Sequence, residues 1–374
     1  MKNNLTIWMM VFLTAFCLSC APGGKTIKIG VAAPMTGSWA KMGNDILNGV
    51  KLAVEEWNAR GGILGKKIEI ISEDDQGDPR QAVSVATKLV NLDVIAVVGH
   101  YNSSASIPAS AIYNEAGIVQ ITPSSTNPEF TQQGYKQVFR VCGTDDQQGE
   151  VGAKFVLETL KKKKVAVLHD KTTYGQGLAD EFKKYLTDEV LVVAYEGITA
   201  GEKDFSAVLT KIKKTKPEVL YFGGYYPEAG LLVKQMKALG LNAIFISGDA
   251  TIDPEFIKIG GKATEGTYLT YGTLGPSGEM SEPTPQAQHF ISAYRTKFGE
   301  LGPYSIYAYD AANVIFKALS EIKTTDGAKL AEALHSLRSE GAKGPIEFDE
   351  KGDMKIAPYI FWVVKDGKFV PAKP

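Results

Sequence analysis

The sequence has 374 residues, of which 44% are hydrophobic and 22% are charged, and its formal net charge is −1. A chain of this length exceeds one ordinary hydrophobic core and predicts two domains. The nearly balanced charge gives no reason to expect nucleic acid or an anionic membrane surface as a partner. The one basic run, residues 161–164, lies between a helical pattern and a strand, and we interpret it as a solvated helix end.

The first residues are typical of an export signal. Lys2 supplies a positive start, and residues 5–18 are an apolar stretch too short to span a membrane comfortably. The sequence around Cys20 resembles a bacterial lipoprotein signal, although Cys17 stands where leucine is usual. We therefore expect a signal peptide at residues 1–19, lipid on Cys20 and a tether at residues 20–25, with plain secretion as the alternative. Either outcome predicts a periplasmic or cell-surface protein without a transmembrane helix.

Cysteine and histidine usage predicts neither a disulfide nor a metal site. After cleavage and lipidation, Cys142 would have no intramolecular partner. The three cysteines and four histidines of the chain show no metal-ligand spacing, and we expect neither a metal ion nor a cofactor.

From residue 26 onward, strand-like and helix-like segments alternate. In the first half, strands are predicted at residues 26–32, 67–73, 94–99 and 117–122, each followed by a helix. The pattern restarts near residues 140–145 and continues to residue 272. Three further helices, at residues 286–298, 304–322 and 327–337, precede a β-rich end. This alternation predicts an α/β fold of two doubly wound lobes, each with a parallel sheet covered by helices.

Loops rich in hydroxyl groups follow two neighbouring predicted strands. They are Tyr101-Asn102-Ser103-Ser104 and Ser124-Ser125-Thr126. Ligands of open parallel sheets bind outside the carboxyl ends of the strands, and hydroxyl and N–H groups at helix starts suit a carboxylate. These loops therefore predict a small-molecule site.

The second half supplies matching side chains at its own strand ends. Tyr174, Tyr225 and Asp249 follow predicted strands there, although Asp249 also fits a turn cap. If the halves face each other, an amino acid zwitterion would meet hydroxyl groups on one side and a carboxylate on the other. No phosphate-binding loop or nucleophile elbow is present, and Ser103 with His100 is a poor catalytic pair. The sequence therefore predicts a binding protein and not an enzyme.

Several segments of the chain resemble the periplasmic leucine/isoleucine/valine-binding proteins of ABC transporters. They include VVGHYNSSASIPASAIYNEAGIVQITPSSTNPEFT, HDKTTYGQGLADEF, YFGGYYPEAGLLVKQMKALGL and KGPIEFDEKGD, and they occur in order through nearly the whole mature chain. The resemblance implies a type I bilobal fold with three hinge crossings, near residues 143–144, 271–273 and 353–355. Lobe 1 would comprise residues 26–143 plus 273–353, and lobe 2 residues 144–272 plus 354–374.

The resemblance also implies a role for each site residue. The Ser103 hydroxyl and N–H and the Thr126 N–H would hold the ligand carboxylate. The Ser124 carbonyl, the Thr126 hydroxyl and the Asp249 carboxylate would hold the ammonium group. Tyr174 and Tyr225 would close from the second lobe. The side-chain pocket would be shaped by Tyr101, Asn102, Ser125 and Tyr304.

Some positions depart from the family pattern and leave the choice of ligand side chain open. Asp249 stands where the family usually has glutamate, which is one methylene longer. Tyr101 replaces a smaller aliphatic group, and Met42 replaces an aromatic residue. Gly77 and Asn102 occupy positions that form a disulfide in some members.

The implied function is that of a monomeric binding protein that closes around an amino acid, expected to be branched-chain aliphatic. It would then deliver the ligand to the membrane permease of an ABC importer. A sensory protein that presents an amino acid or small amide to a receptor would need the same cleft, and this alternative stays open.

Overall fold

A computed structural model describes residues 26–273, 275, 276, 278 and 283–372. The predicted signal peptide, tether and lipid-bearing Cys20 lie outside the described residues.

The first lobe is built on a sheet of five parallel strands in the order β2-β1-β3-β4-β5. The strands are β1 Ile27–Ala33, β2 Ile68–Asp74, β3 Ala96–Gly99, β4 Val119–Thr122 and β5 Val138–Arg140. The connecting helices are α1 Ala40–Ala59, α2 Pro79–Asn91, α3 Ser103–Glu115 and the single turn α4 Glu129–Gln132. Strands β1, β3 and β4 are buried along almost their whole length because helices cover both faces of the sheet, whereas the edge strand β2 is largely half-exposed.

The second lobe is built on a sheet of seven strands in the order β14-β13-β10-β9-β8-β6-β7. Its parallel strands are β6 Lys164–His169, β7 Leu191–Gly197, β8 Val219–Gly223, β9 Ile244–Ser247 and β10 Tyr268–Gly272. The strands β13 Tyr359–Lys365 and β14 Lys368–Pro371 continue the sheet in antiparallel fashion. Its helices are α5 Asp145–Lys154, α6 Thr173–Lys184, α7 Ser206–Lys214, α8 Tyr226–Leu239 and α9 Pro254–Gly260. A π-helical turn, Phe155–Thr159, extends α5.

Three helices and a hairpin complete the molecule. They are α10 Pro285–Phe298, α11 Ser305–Ile322, α12 Gly327–Ser336, β11 Arg338–Gly341 and β12 Gly344–Glu347. Helix α11 packs along α1 and touches β3 and β4, so it belongs to the first lobe. The two helices approach so closely that a Cβ built at Gly49 would lie 2.2 Å from the Ser305 carbonyl oxygen. Any larger residue at this position would force the helices apart.

The two sheets confirm the predicted α/β fold with parallel-sheet lobes. The chain passes from one sheet to the other three times, after β5, after β10 and after β12. The residue limits proposed for the lobes and hinges stay a prediction. The short strand β5 was not predicted from the sequence.

Candidate ligand-binding cleft

The predicted site residues lie where strand ends of the two lobes face each other. Ser103 begins helix α3 directly after β3, and the loop 124–126 follows β4. From the second lobe, Tyr174 lies in the first turn of α6, and Asp249 begins a 3-10 turn after β9. Tyr225 and Tyr304 precede helices α8 and α11. Parallel strands bring these loops to one edge of each sheet, as the strand-end rule predicts.

The Asp249 carboxylate is buried and surrounded by neutral donors. Its Oδ1 accepts hydrogen bonds from Gln148 Nε2 at 3.0 Å and from the Tyr174 hydroxyl at 2.9 Å. Its Oδ2 accepts one from the Tyr304 hydroxyl at 3.2 Å. Burial raises the pKa of Asp249, and these hydrogen bonds oppose the increase. Among the described residues no ion pair involves Asp249, so an incoming cation such as an ammonium group would find a preoriented partner.

A second buried carboxylate, Asp145, lies beside the first. Gln148 Nε2 also contacts Asp145 Oδ1, at 3.3 Å, so one amide group links the two acids. Burial raises the pKa of Asp145 well above its ordinary value, and the nearby Thr126 hydroxyl opposes this increase. The Asp145 N–H donates to the Thr126 carbonyl at 2.9 Å, which ties the second lobe to the loop of the first.

Neither Asp145 nor Gln148 was predicted as part of the site, although the sequence contains a signal for them. Thr144 and Gln147 form a capping box, in which Gln147 Oε1 accepts from the Thr144 N–H at 3.1 Å. A threonine followed three residues later by glutamine marks a helix start. This reading would have placed Asp145 and Gln148 in the first turn of α5, at the cleft.

The hydroxyl groups of the first lobe fall into two sets. Ser124 Oγ donates to the Tyr101 carbonyl at 3.0 Å, and Ser125 Oγ pairs with Ser106 Oγ at 2.6 Å, so both are engaged within the lobe. Ser103 Oγ accepts a long bond from the Asn127 N–H, at 3.4 Å, which leaves its own proton free to donate. The buried Thr126 hydroxyl makes no hydrogen bond of good geometry within the described part of the chain.

Arg140 holds the Thr126 loop from behind. Its guanidinium is fully buried and donates to the Ser125 carbonyl at 2.7 Å, the Asn127 carbonyl at 3.0 Å and Asp353 Oδ1 at 2.6 Å. The peptide bond between Ser125 and Thr126 is trans. Because a trans peptide is planar, the Thr126 N–H points opposite to the Ser125 carbonyl, away from Arg140. The arginine therefore orients one backbone donor of the proposed carboxylate site.

Aromatic rings from both lobes pack against one another in the cleft. The ring of Tyr101 lies 5.3 Å from that of Tyr304 and 5.9 Å from that of Tyr225. Tyr225 in turn lies 5.1 Å from Tyr174 and 4.9 Å from Trp39. Burial raises the pKa of all four tyrosines well above the ordinary value, so their hydroxyl groups stay protonated and can donate.

Three polar contacts join the lobes around the rim of the cleft. Lys41 of α1 forms an ion pair with Asp253 at 2.8 Å. The Tyr226 hydroxyl donates to the Ser38 carbonyl at 2.8 Å, and Asn127 Nδ2 donates to the Thr173 carbonyl at 2.9 Å. The two lobes therefore lie in a closed arrangement.

The described ranges contain no group of three or more histidine, cysteine, aspartate or glutamate side chains that could hold a metal ion. Within the same ranges, no helix is both long and apolar enough to cross a membrane. Cys142 is the free cysteine of this part of the chain, and burial raises the pKa of its thiol to about 12.

The sequence of this chain is similar to those of known binding proteins. The family model described as periplasmic binding protein matches residues 26–368. An amino acid binding protein of Pseudomonas aeruginosa is 44% identical over 346 residues, which cover 92% of this chain and 91% of that protein. A second Pseudomonas aeruginosa protein, named for binding leucine, isoleucine, valine, threonine and alanine, is 43% identical over 90% of this chain and 89% of that protein.

Solved structures agree with the sequence relatives. A leucine binding protein from Thermotoga maritima matches with a TM-score of 0.87 and 32% identity, covering 93% of this chain and 98% of that chain. A branched-chain amino acid transporter substrate binding protein from Streptococcus pneumoniae was solved in complex with isoleucine. It matches with a TM-score of 0.85 and 31% identity, covering 92% of this chain and 98% of that chain. The resemblance seen in the sequence is thus confirmed, and the chain belongs to the periplasmic binding protein family.

Proposed function

We propose that this protein is the substrate-binding component of an ABC importer. It binds an amino acid between its two lobes, and the branched-chain amino acids for which its relatives are named belong to the ligands that it accepts. It then delivers the ligand to a membrane permease. The observation that carries the proposal is Asp249, a buried carboxylate paired only with neutral donors, facing a loop whose N–H and hydroxyl groups suit a carboxylate. The two ends of a zwitterion require such an arrangement.

The proposed ligand contacts use the groups that remain available in the cleft. The ligand carboxylate accepts from the Ser103 hydroxyl and N–H and from the Thr126 N–H, which Arg140 orients. The ammonium group donates to Asp249, to the Thr126 hydroxyl and to the Ser124 carbonyl. Burial of both charges is tolerated because each charge is fully paired.

The remaining predicted residues surround the ligand. Tyr174 and Tyr225 approach from the second lobe, and Tyr174 also positions Asp249. Tyr101, Asn102, Ser125 and Tyr304 belong to the side-chain end of the site. In this proposal, Ser125 acts through the loop backbone, since its hydroxyl pairs with Ser106 and its carbonyl with Arg140.

Ligand binding would favour the closed arrangement because contacts from both lobes exist together only there. The hinges are proposed near residues 143–144, 271–273 and 353–355, between lobe 1 (residues 26–143 plus 273–353) and lobe 2 (residues 144–272 plus 354–374). The protein would act as a monomer on the outer side of a membrane, attached by lipid on Cys20. A single lipid with a flexible tether would keep the cleft close to the permease.

A thermal-shift experiment with leucine and two blocked analogues tests the zwitterion site. The mature protein is unfolded, dialysed and refolded to remove any co-purified ligand, and each compound is then added. We expect leucine or a close relative to raise the melting temperature, with the increase growing as the logarithm of its concentration once this exceeds the dissociation constant. N-acetyl-leucine lacks the ammonium group and leucinamide lacks the carboxylate, so neither should stabilise the protein. Stabilisation by an analogue equal to that by leucine, or by none of the twenty amino acids, would overturn the proposal.

A further inference from the structure

The side-chain end of the cleft contains polar atoms that an aliphatic ligand would not satisfy. This region, which we name the polar corner, consists of Trp39, Tyr101 and Asn102, with Tyr225 packed against it from the other lobe. Tyr101 is 3% exposed and Asn102 is 1% exposed. The inference drawn from it rests on the proposed function, since it concerns which amino acid the cleft prefers.

The polar groups of this corner are buried without protein partners. The Tyr101 hydroxyl, the Trp39 indole N–H and both amide atoms of Asn102 make no hydrogen bond of good geometry within the described ranges. The Asn102 amide lies near the Tyr225 hydroxyl. Burial raises the pKa of Tyr225, and the nearby amide opposes this increase, but the two groups do not form a hydrogen bond of good geometry. Buried polar atoms are nearly always paired in folded proteins, so a cluster of them marks a place where something polar binds.

Hydrogen bonds hold the backbone that carries the corner residues. The Tyr101 carbonyl accepts from both the Ser124 and Ser125 hydroxyls, at 3.0 and 3.1 Å, which fixes the strand end that carries Tyr101. Asn102 occupies the N-cap position of α3, yet its side chain makes no capping bond. Its free amide is directed toward Gly77 instead, where a built Cβ would lie 2.9 Å from Asn102 Oδ1.

Gly77 creates the space that the corner needs. The same built Cβ would lie 2.5 Å from the Trp39 ring, and Gly77 has a φ of +69°, which favours glycine. A larger residue at this position would displace both the Trp39 ring and the Asn102 amide. Trp39 and Asn102 can therefore lie side by side, with the six-membered ring of the indole and the Asn102 amide oxygen both close to Gly77.

We propose that the preferred ligand carries a hydrogen-bonding group on its side chain, a hydroxyl or a carboxamide, that binds to Tyr101 and Asn102. The tyrosine hydroxyl both donates and accepts, and the asparagine amide offers a donor and an acceptor, so together they match either group. A purely aliphatic side chain of the same size would seal these atoms from water without replacing their hydrogen bonds. A site built for a hydroxyl group discriminates strongly against the analogue that lacks it, because its own polar atoms are then left unpaired.

Calorimetric titration with isosteric pairs of amino acids tests this preference. Threonine is compared with valine, and asparagine with leucine, on the refolded ligand-free protein. We expect threonine and asparagine each to bind at least about tenfold more tightly than the aliphatic partner. Tyr101→Phe should reduce both ratios toward one, because it weakens binding of the polar ligands more than binding of the aliphatic ones.

Two further variants complete the test. Tyr294→Phe removes another buried tyrosine hydroxyl, which contacts Asp45 and lies outside the corner, and it should leave both ratios unchanged. Asn102→Leu replaces the amide at similar volume and serves as a second variant if Tyr101→Phe does not fold. Valine and leucine binding as tightly as threonine and asparagine would overturn this inference while leaving the proposed function intact. Ratios that neither corner variant alters would also overturn it. Failure of every amino acid to bind would overturn both proposals.

Discussion

Replacing Asp249 with asparagine should separate ligand binding from stability. The substitution keeps the size of the side chain and removes its charge. Asparagine can still accept from Gln148 and Tyr174 through its oxygen, so the hydrogen-bonded frame around it is retained. Because burial raises the pKa of Asp249, the charged carboxylate is costly in the unliganded protein. We therefore expect Asp249→Asn to melt at the same temperature as the parent or higher.

Ligand affinity should fall steeply in the same variant. Loss of one partner from a buried ion pair costs about 3–5 kcal/mol, because the remaining charge stays desolvated. Each 1.4 kcal/mol corresponds to a tenfold change in the dissociation constant, so affinity should decrease by about a hundredfold or more. Isothermal titration calorimetry with the amino acid that gives the largest thermal shift measures this loss directly.

Asp310→Asn provides the matched control for this experiment. Asp310 is another fully buried carboxylate, and burial raises its pKa to about 6. It accepts from the backbone N–H groups of Ala342 and Lys343 and makes no contact with Asp249. Asparagine keeps only one of the two oxygens of Asp310, so one of these backbone N–H groups loses its acceptor. The control should therefore lose stability and keep its affinity for the ligand. An affinity of Asp249→Asn within about threefold of the parent would refute the assignment of Asp249 to the ammonium site.

Two substitutions and two effects of pH provide further tests. Arg140→Lys keeps the charge but cannot reach four acceptors, so we expect about 2 kcal/mol lower stability in urea unfolding, together with weaker ligand binding. Asp253→Asn breaks the 2.8 Å ion pair with the partly exposed Lys41 yet retains a helix cap. Stopped-flow dissociation should therefore accelerate by up to about fivefold, and an unchanged rate would exclude a role of this pair in closure. Ligand binding should weaken as the pH falls through the raised pKa of Asp249, because the protonated acid cannot pair with the ammonium group, and calorimetric titrations at a series of pH values measure this effect. For the unliganded protein, buried Asp170, whose pKa is raised to about 7, binds a proton that the unfolded chain has lost. The free energy of unfolding of the unliganded protein should therefore decrease as the pH rises from about 4 to about 7, and denaturant unfolding at each pH measures it.

The sequence predicted the parts of the cleft that follow from general rules of parallel sheets. The hydroxyl loops after β3 and β4, and Tyr174, Tyr225 and Asp249 after strands of the second lobe, lie at strand ends because every parallel strand delivers its following loop to the same edge. The resemblance to the leucine/isoleucine/valine-binding proteins also predicted that the two halves face each other. The short β5 could not be predicted, since three residues ending in a charged arginine show no strand periodicity.

What could not be predicted are the residues that act from behind or across the cleft. From the sequence alone, Arg140 would be expected on the surface. The fold shows that it is fully buried and bonded to Asp353, which is more than two hundred residues later in the chain. The same applies to Lys41 and Asp253, whose pairing requires the two lobes to meet. The Arg140–Asp353 contact depends on long-range folding within the first lobe, and the Lys41–Asp253 contact depends on the relative placement of the two lobes. The local sequence pattern encodes neither.

The polar corner shows why a family resemblance is not enough to name the ligand. The groups proposed to hold the common part of an amino acid are the acid at position 249, where the family usually has glutamate, and the Thr126 loop. They carry no information about the ligand side chain. Tyr101 and Asn102 depart from the family pattern, and Trp39 lies beside them. These departures act together, because Gly77 gives room to both the indole and the amide. Specificity in this cleft is therefore expected to reside in a few replaced side chains at one end of an otherwise unchanged site.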